Sequence, residues 1–269
     1  MAGSRFERFL ALHEQATPLV MPNPWDIGSA KIFESLGFEA LATTSSGFAG
    51  TLGRLDGSVT RDEVLAHARA LVAAVSVPVS ADLENGYAPE PAGVAETVAL
   101  AAQTGLAGCS IEDYARDGDA IYPFEVAVDR VRAAAETAHR GSTQLVLTGR
   151  CENYLHGHPD LADTIGRLQA YQDAGADVLF APGVSSEDDL RVLVASVDRP
   201  VNVLPRPGMP TVDELGALGV RRFSVGGSLC WTAIDAAVRA ATELRDHGTY
   251  NYWSAVPDGL AAARAAFSS

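Results

Sequence analysis

The sequence predicts a parallel (β/α)8 TIM barrel, and three observations carry that expectation. Eight short apolar or β-branched runs recur along the chain, alanine-rich amphipathic segments separate them, and the turn from segment to run repeatedly holds a glycine. A parallel sheet needs this grammar because each strand must be followed by a crossover that covers the sheet, and eight such units favour closure into a barrel. An open doubly wound sheet is the competing architecture, but no Gly-x-Gly-x-x-Gly follows the first run. Residues 1–269 are expected to form one barrel domain, with 240–269 as a C-terminal helical extension.

In chain order the strand runs are Leu19 to Met21, Ala40 to Thr44, Val79 to Asp82, Gly108 to Glu112, Leu145 to Arg150, Val178 to Ala181, Val201 to Leu204 and Arg222 to Val225. Helical spacing is expected over Ile27 to Leu36, Arg61 to Val75, Pro91 to Thr104, Val126 to His139, Leu161 to Ala174, Ser186 to Ser196 and Val212 to Leu218. Their starts are marked by Asp26 as an N-cap, by a Thr60-x-x-Glu63 capping box and by Ser186-x-x-Asp189. Their ends are marked by Gly37, Gly105, Gly175 and Gly219, each placed where a helix gives way to a strand. A final stripe of Trp253, Val256, Leu260, Ala263 and Phe267 suits packing either on the chain's own barrel or on a partner.

Composition removes several classes of function. A formal charge of −14 argues against nucleic acid or an anionic membrane as partner, since both need a basic face. Three cysteines without Cys-x-x-Cys spacing suggest neither a disulfide framework nor a metal knuckle, and a cytoplasmic location is expected. Charges at Arg5, Glu7, Arg8 and Glu14 interrupt any apolar leader, and no segment approaches membrane-spanning length, so neither export nor membrane anchoring is expected. Lys31 is the only lysine and lies in a helical stretch, which excludes a Schiff-base aldolase and a Walker phosphate loop.

The strand ends carry the chemistry. Asp82, Glu84 and Glu112 would converge at the carboxyl-terminal rim, with Asp82 and Glu84 on one face if the strand continues. Such carboxylates repel unless a cation sits among them, and three hard oxygen donors suit Mg2+ or Mn2+ better than zinc. Arg150 ends the next run, where its planar fork suits a substrate carboxylate or, equally, a structural pairing with Glu152 or Asp82. Asn153 and Asn202 are candidate donors to substrate oxygens, Asn202 the stronger of the two, although a strand-end asparagine also satisfies backbone groups. Ser45-Ser46-Gly47 reads as a small-residue turn able to present N–H groups to an oxyanion. His156-Gly157-His158 reads as a loop, and Cys151 as a packed thiol.

The ordered set Thr44-Ser45-Ser46-Gly47, Asp56, Asp82-x-Glu84-x-Gly86-Tyr87, Ser110-Ile111-Glu112-Asp113 and Gly149-Arg150-x-Glu152-Asn153 resembles the isocitrate lyase/phosphoenolpyruvate mutase superfamily, from about Leu19 to Ala237. The resemblance implies a (β/α)8 barrel with its last helix swapped between subunits, a homodimer or homotetramer, bound Mg2+, and enolate chemistry on a small-molecule carboxylate. It implies Asp82 as direct metal ligand, with Glu84 and Glu112 contacting the metal through waters. Ser46 and Gly47 would bind the substrate carboxylate, Asp56 would lie on a mobile loop over the site, and Arg150 would clamp the substrate. Arg150, Asp56 and Glu112 are thus the expected catalytic groups.

Departures from the family pattern narrow the activity. The loop Asp113 to Pro123 lacks the Cys and His of the isocitrate and methylisocitrate lyases and the Lys and Asn of the phosphomutases. Tyr114 and Tyr122 are its candidate proton donors, or else packing residues. The expected function is Mg2+-dependent carbon–carbon cleavage, decarboxylation included, of a small 2-oxo or 2-hydroxy di- or tricarboxylic acid. Carbon–phosphorus chemistry on phosphonopyruvate and non-catalytic 2-oxo-acid binding are the alternatives.

Overall fold

Helix caps and glycine stops divide the chain where the apolar pattern changes period. The computed structural model describes residues 4–141 and 143–268, so the start of the expected leader reading, residues 1–3, lies outside the described residues. The first half runs α1 (Arg5–Leu12), β1 (Leu19–Met21), α2 (Ile27–Ser35), β2 (Leu41–Ala42), α3 (Ser45–Thr51), α4 (Arg61–Ala74), β3 (Val79–Asp82), α5 (Pro91–Ala102) and β4 (Gly108–Glu112). A small antiparallel hairpin follows, β5 (Tyr114–Ala115) and β6 (Ala120–Ile121). The second half runs α6 (Phe124–Ala138), β7 (Val146–Arg150), α7 (Leu161–Asp173), β8 (Val178–Phe180), α8 (Glu187–Ala195), β9 (Val201–Val203), α9 (Val212–Ala217), β10 (Arg222–Ser224), α10 (Ser228–His247) and α11 (Val256–Phe267).

The expected caps form: Asp26 accepts from the Ser29 N–H at 2.7 Å, Thr60 and Glu63 close a capping box, and Ser186 accepts from the Asp189 N–H at 3.1 Å. Gly37, Gly105, Gly175 and Gly219 all take positive φ, the left-handed conformation that ends a helix at little cost to glycine.

Eight strands pair in parallel in the order β1-β10-β9-β8-β7-β4-β3-β2. The Ala42 N–H reaches the Pro22 carbonyl at 3.2 Å and brings the two outer strands together, giving the barrel. One paired row, Glu112, Arg150, Phe180, Asn202, Arg222 and Leu19, crosses six strands with its side chains facing inward. Strand stagger makes that row descend, because Glu112 ends its strand and Leu19 begins its own. The row therefore links the rim to the floor.

Phe9 and Leu12 of α1 pack against inward-facing Leu19, Met21, Val146 and Val178 and close the lower mouth. Gly108 permits this plug, since a Cβ there would lie 2.8 Å from Phe9 Cε1. A larger apolar cluster fills the layer between strands and helices and includes Cys151. Cys109, Cys151 and Cys230 are all free thiols. Helix α11 packs on α2, whereas α10 buries only Cys230 and leaves Trp231, Ile234, Val238 and Leu244 exposed. Among the described residues no helix is long and apolar enough to cross a membrane.

Candidate active site

The acids reach the rim by a route that differs from strand continuation. Strand β3 stops at Asp82, whose Oδ1 accepts the Glu84 N–H at 3.1 Å. Glu84 then takes φ +49° and Tyr87 φ +56°, left-handed conformations that cost a non-glycine residue about 1 kcal/mol each. Asp82 and Glu84 share the site because this turn folds back, not because of strand alternation. Gly86 adds a third positive φ at the tightest point, where a Cβ would press on Val94 at 3.0 Å. Buried Arg130 holds the turn from outside through the carbonyls of Asn85, Pro89 and Ala88, the last at 2.7 Å. Its guanidinium also lies 4.1 Å from the centre of the Tyr122 ring.

Arg150 occupies the centre of the acids. Its Nε pairs with Glu152, and its Nη1 lies 3.4 Å from Glu112 Oε2 and 3.6 Å from Asp82 Oδ2. The guanidinium is largely withdrawn from solvent, which disfavours its charge, yet those carboxylates hold its pKa above the usual arginine value. Burial raises the carboxyl of Glu112 well above the ordinary range, opposed by Arg150. Glu84 is pushed up to about 7, first by burial and then by the charge of Asp82, while Arg116 acts in the opposite direction.

Arg116 is the site residue that the sequence did not single out. The hairpin β5–β6 folds the loop over the acids, and its connecting turn puts Arg116 Nε 2.6 Å from Glu84 Oε2. Its Nη2 lies 3.6 Å from Asp56 Oδ2 and 3.8 Å from Glu112 Oε1, so the exposed Asp56 loop meets the hairpin at this side chain. Tyr114 of the hairpin bonds Asp119 and stacks on His156, ring centres 3.5 Å apart. Tyr122 accepts a long contact from Asn85 Nδ2 at 3.4 Å.

The base of the hairpin is fixed by buried Asp113, which accepts from the Tyr171 hydroxyl at 2.5 Å, from Arg167 at 3.2 Å and from the Glu152 N–H at 2.8 Å. Arg167 also pairs with Asp163 at 2.8 Å.

The other expected contacts sit as follows. Ser45-Ser46-Gly47 forms the first turn of α3 instead of an open turn; Thr44 caps it, accepting the Gly47 N–H at 3.2 Å, and Ser46 lies 3.3 Å from the Thr44 hydroxyl. Asn153 is buried and donates to Asp163 at 2.8 Å and to Thr164 at 3.2 Å. Asn202 is buried one strand from Arg222; its Oδ1 accepts from Arg222 Nε at 2.9 Å and its Nδ2 donates to Ser224 at 2.9 Å. The structure thus brings Asp56, Asp82, Glu84, Glu112 and Arg150 together and gives both asparagines internal partners.

Among the described residues no three His, Cys, Asp or Glu side chains close around a single point. The acids instead surround two guanidinium groups, and the donor set, hard carboxylate oxygens with Glu84 and Glu112 largely withdrawn from solvent, fits a hydrated divalent ion with one direct carboxylate ligand. A narrow cavity of about 80 Å³ descends from Asp82, Ser110 and Arg150 past Phe180 to Arg222 and Ser224.

Residues 9–245 match the family model for phosphoenolpyruvate phosphomutase. The chain is 38% identical over 242 residues to an uncharacterised protein of Mycobacterium tuberculosis, an alignment covering 88% of this chain and 89% of that one. It is 30% identical to the 2-methylisocitrate lyase of Salmonella typhimurium over 257 residues, with 90% and 85% covered. A crystal structure of a candidate lyase/mutase from Burkholderia cenocepacia superposes with TM-score 0.90 at 49% identity, covering 93% of this chain and 91% of that chain. The barrel, its rim acids and these matches define a member of the isocitrate lyase/phosphoenolpyruvate mutase superfamily. The chain belongs to the phosphoenolpyruvate phosphomutase family within it.

Proposed function

We propose that this protein is a Mg2+-dependent lyase that cleaves a carbon–carbon bond, decarboxylation included, in a small 2-oxo or 2-hydroxy di- or tricarboxylic acid. The observation that carries the reading is the position of Arg150, a half-buried cation among Asp82, Glu112 and Glu152 at the head of the cavity. Asp82 would ligate the ion directly, with Glu84 and Glu112 holding its waters; Mn2+ suits the same donors. The bound ion would supply Lewis-acid polarisation of the substrate oxygens.

Arg150 would hold the substrate carboxylate and offset the negative charge that develops as the bond to C3 breaks and an enolate forms. Ser46 and Gly47, beside the capping Thr44, would position the substrate's other oxygens, and the buried Asn153 and Asn202 would support that geometry through Asp163 and Arg222. Asp56 and Arg116 would close the site from their two loops. The 30% identity to 2-methylisocitrate lyase over nine-tenths of the chain supports carbon–carbon chemistry. The loop without cysteine, histidine or lysine argues against that enzyme's own substrate and equally against phosphonate chemistry.

A Mg2+-supplemented panel of oxaloacetate, methylisocitrate, related diacids and phosphonopyruvate tests the proposal. Pyruvate release from a carbon acid is the expected result. Phosphate release from phosphonopyruvate alone would replace the reading by the mutase or hydrolase one, and ligand-induced stabilisation without turnover would replace it by a binder.

We also propose a homodimer or homotetramer. The exposed apolar face of α10 lacks a covering layer among the described residues, and a second copy would supply one by exchanging this helix. Light scattering at micromolar concentration is expected to give at least a dimer, and a monomer would overturn this.

A further inference from the structure

The barrel floor holds a charge that the proposed chemistry uses only indirectly, as a partner of Asn202. Arg222 begins β10, faces inward and is only 4% exposed. Its Nε donates to Asn202, and its Nη1 makes a long 3.5 Å contact with His13 Nε2. His13 Nδ1 lies 2.8 Å from the Phe9 carbonyl oxygen, which can only accept, so Nδ1 carries the proton and Nε2 turns a lone pair to Arg222. Burial and, after it, the charge of Arg222 push His13 down to about 4 and keep it neutral.

Arginine has five N–H donors, and the remaining ones here have no protein acceptor among the described residues. No carboxylate of those residues pairs with the guanidinium, and burial acts against its charge without any acid to offset it. Asp177, the acid whose field reaches His13, is engaged elsewhere: its Oδ2 accepts from the Leu147 N–H at 2.8 Å and contacts His139 Nε2 at 2.9 Å. The inward-facing Thr148 hydroxyl on β7 is fully buried and has no hydrogen-bond partner among the described residues. A buried, unpaired cation is costly unless an anion joins it. Arg222 lines the same cavity as Arg150 and Asp82, so a small anion has a path to it from the rim.

We propose that Arg222 is the cationic centre of a second anion site on the barrel floor, which takes one small monoanionic group of carboxylate or halide size. Two sources fit this chemistry, a free anion or the far carboxylate of a diacid held at the rim; only the latter rests on the lyase reading.

Bromide is the probe. Crystals of the metal-free protein grown in sodium bromide should show anomalous density beside the Arg222 Nη atoms. In solution, replacing gluconate by bromide at constant ionic strength should raise the Tm of the wild type by about 3 °C. Arg222→Met should abolish that rise while being more stable than wild type in gluconate, because it removes an uncompensated charge at similar volume. A purely structural arginine would instead leave the variant destabilised and the anion response unchanged. Absence of bromide at Arg222 in the wild-type crystals would overturn the proposal even if the variant failed to fold. Malonate with Mg2+ then separates the sources: displacement of bromide assigns the floor to the diacid's far end, and retention assigns it to a free anion. No step measures turnover, so an inactive protein leaves the result intact.

Discussion

The rim and the floor of this barrel each hold an inward-facing arginine, half-buried at the rim and buried at the floor, and their surroundings are opposite. Arg150 at the rim touches three carboxylates, and Arg116 bridges three more contacts above it. Arg222 at the floor has an amide oxygen, a neutral imidazole and, among the described residues, no acid. The same paired row of strands carries both residues, so the difference comes from neighbours and not from depth in sequence. A ligand at the rim must exchange with partners already in place, while a ligand at the floor meets donors that lack them.

The largest expected effect falls on the rim. Asp82→Ala removes the proposed direct ligand and leaves Arg150 with Glu112 and Glu152, so metal-dependent turnover should fall by a factor on the order of 10³ or more. Titrating the variant's activity with Mg2+ checks this; full activity under chelation would sink the metal reading. Next is the support beneath the rim. Asp113→Ala strands the Tyr171 hydroxyl and the Glu152 N–H in the interior, while Arg167 Nη1 keeps the Tyr122 carbonyl, and should cost roughly 3 kcal/mol in urea unfolding. A cost below about 1 kcal/mol would mean that the network hardly holds the hairpin.

A smaller effect is expected at Arg116, which is partly exposed. Removing it in Arg116→Gln frees Glu84 and Glu112 of a competing cation, so the divalent ion should bind a few-fold more tightly. Calorimetric titration with Mg2+ or Mn2+ reads this directly. Weaker binding in the variant would show that Arg116 organises the carboxylates instead of competing for them.

The contrast between rim and floor also marks what could be read from the chain. All eight barrel strands were legible as short, mostly apolar runs set off by caps, glycines or prolines, and Asp82, Glu112 and Arg150 were legible because they end such runs. The hairpin β5–β6 was not, since its two-residue strands are too short to show alternation. The left-handed turn at Glu84 was hidden because the side chain, not a glycine, adopts it. Inward placement of Asn202 follows from strand parity, but its pairing with Arg222 depends on the β9–β10 register, which the sequence does not encode locally. Arg222 and Arg116 were missed for one reason: their character lies in which partners they have, a property of three dimensions.

The smallest effect tests why the floor lacks an acid. Asp177 is the carboxylate whose field reaches His13 and Cys109, yet it faces His139 and the Leu147 amide. That hydrogen bond raises the pKa of His139 above its ordinary value. A raised histidine contributes stability that is fully present below the unfolded value near 6.5 and is lost as pH rises through the higher folded value. The wild type should therefore lose a small increment, under about 1 kcal/mol because His139 is half exposed to solvent, as pH rises above 6.5. His139→Gln should lack that slope when chemical unfolding is followed from pH 5.5 to 8.5. An unchanged slope would mean that Asp177 is held by the Leu147 N–H alone, and that the backbone of β7 is what keeps its charge away from Arg222.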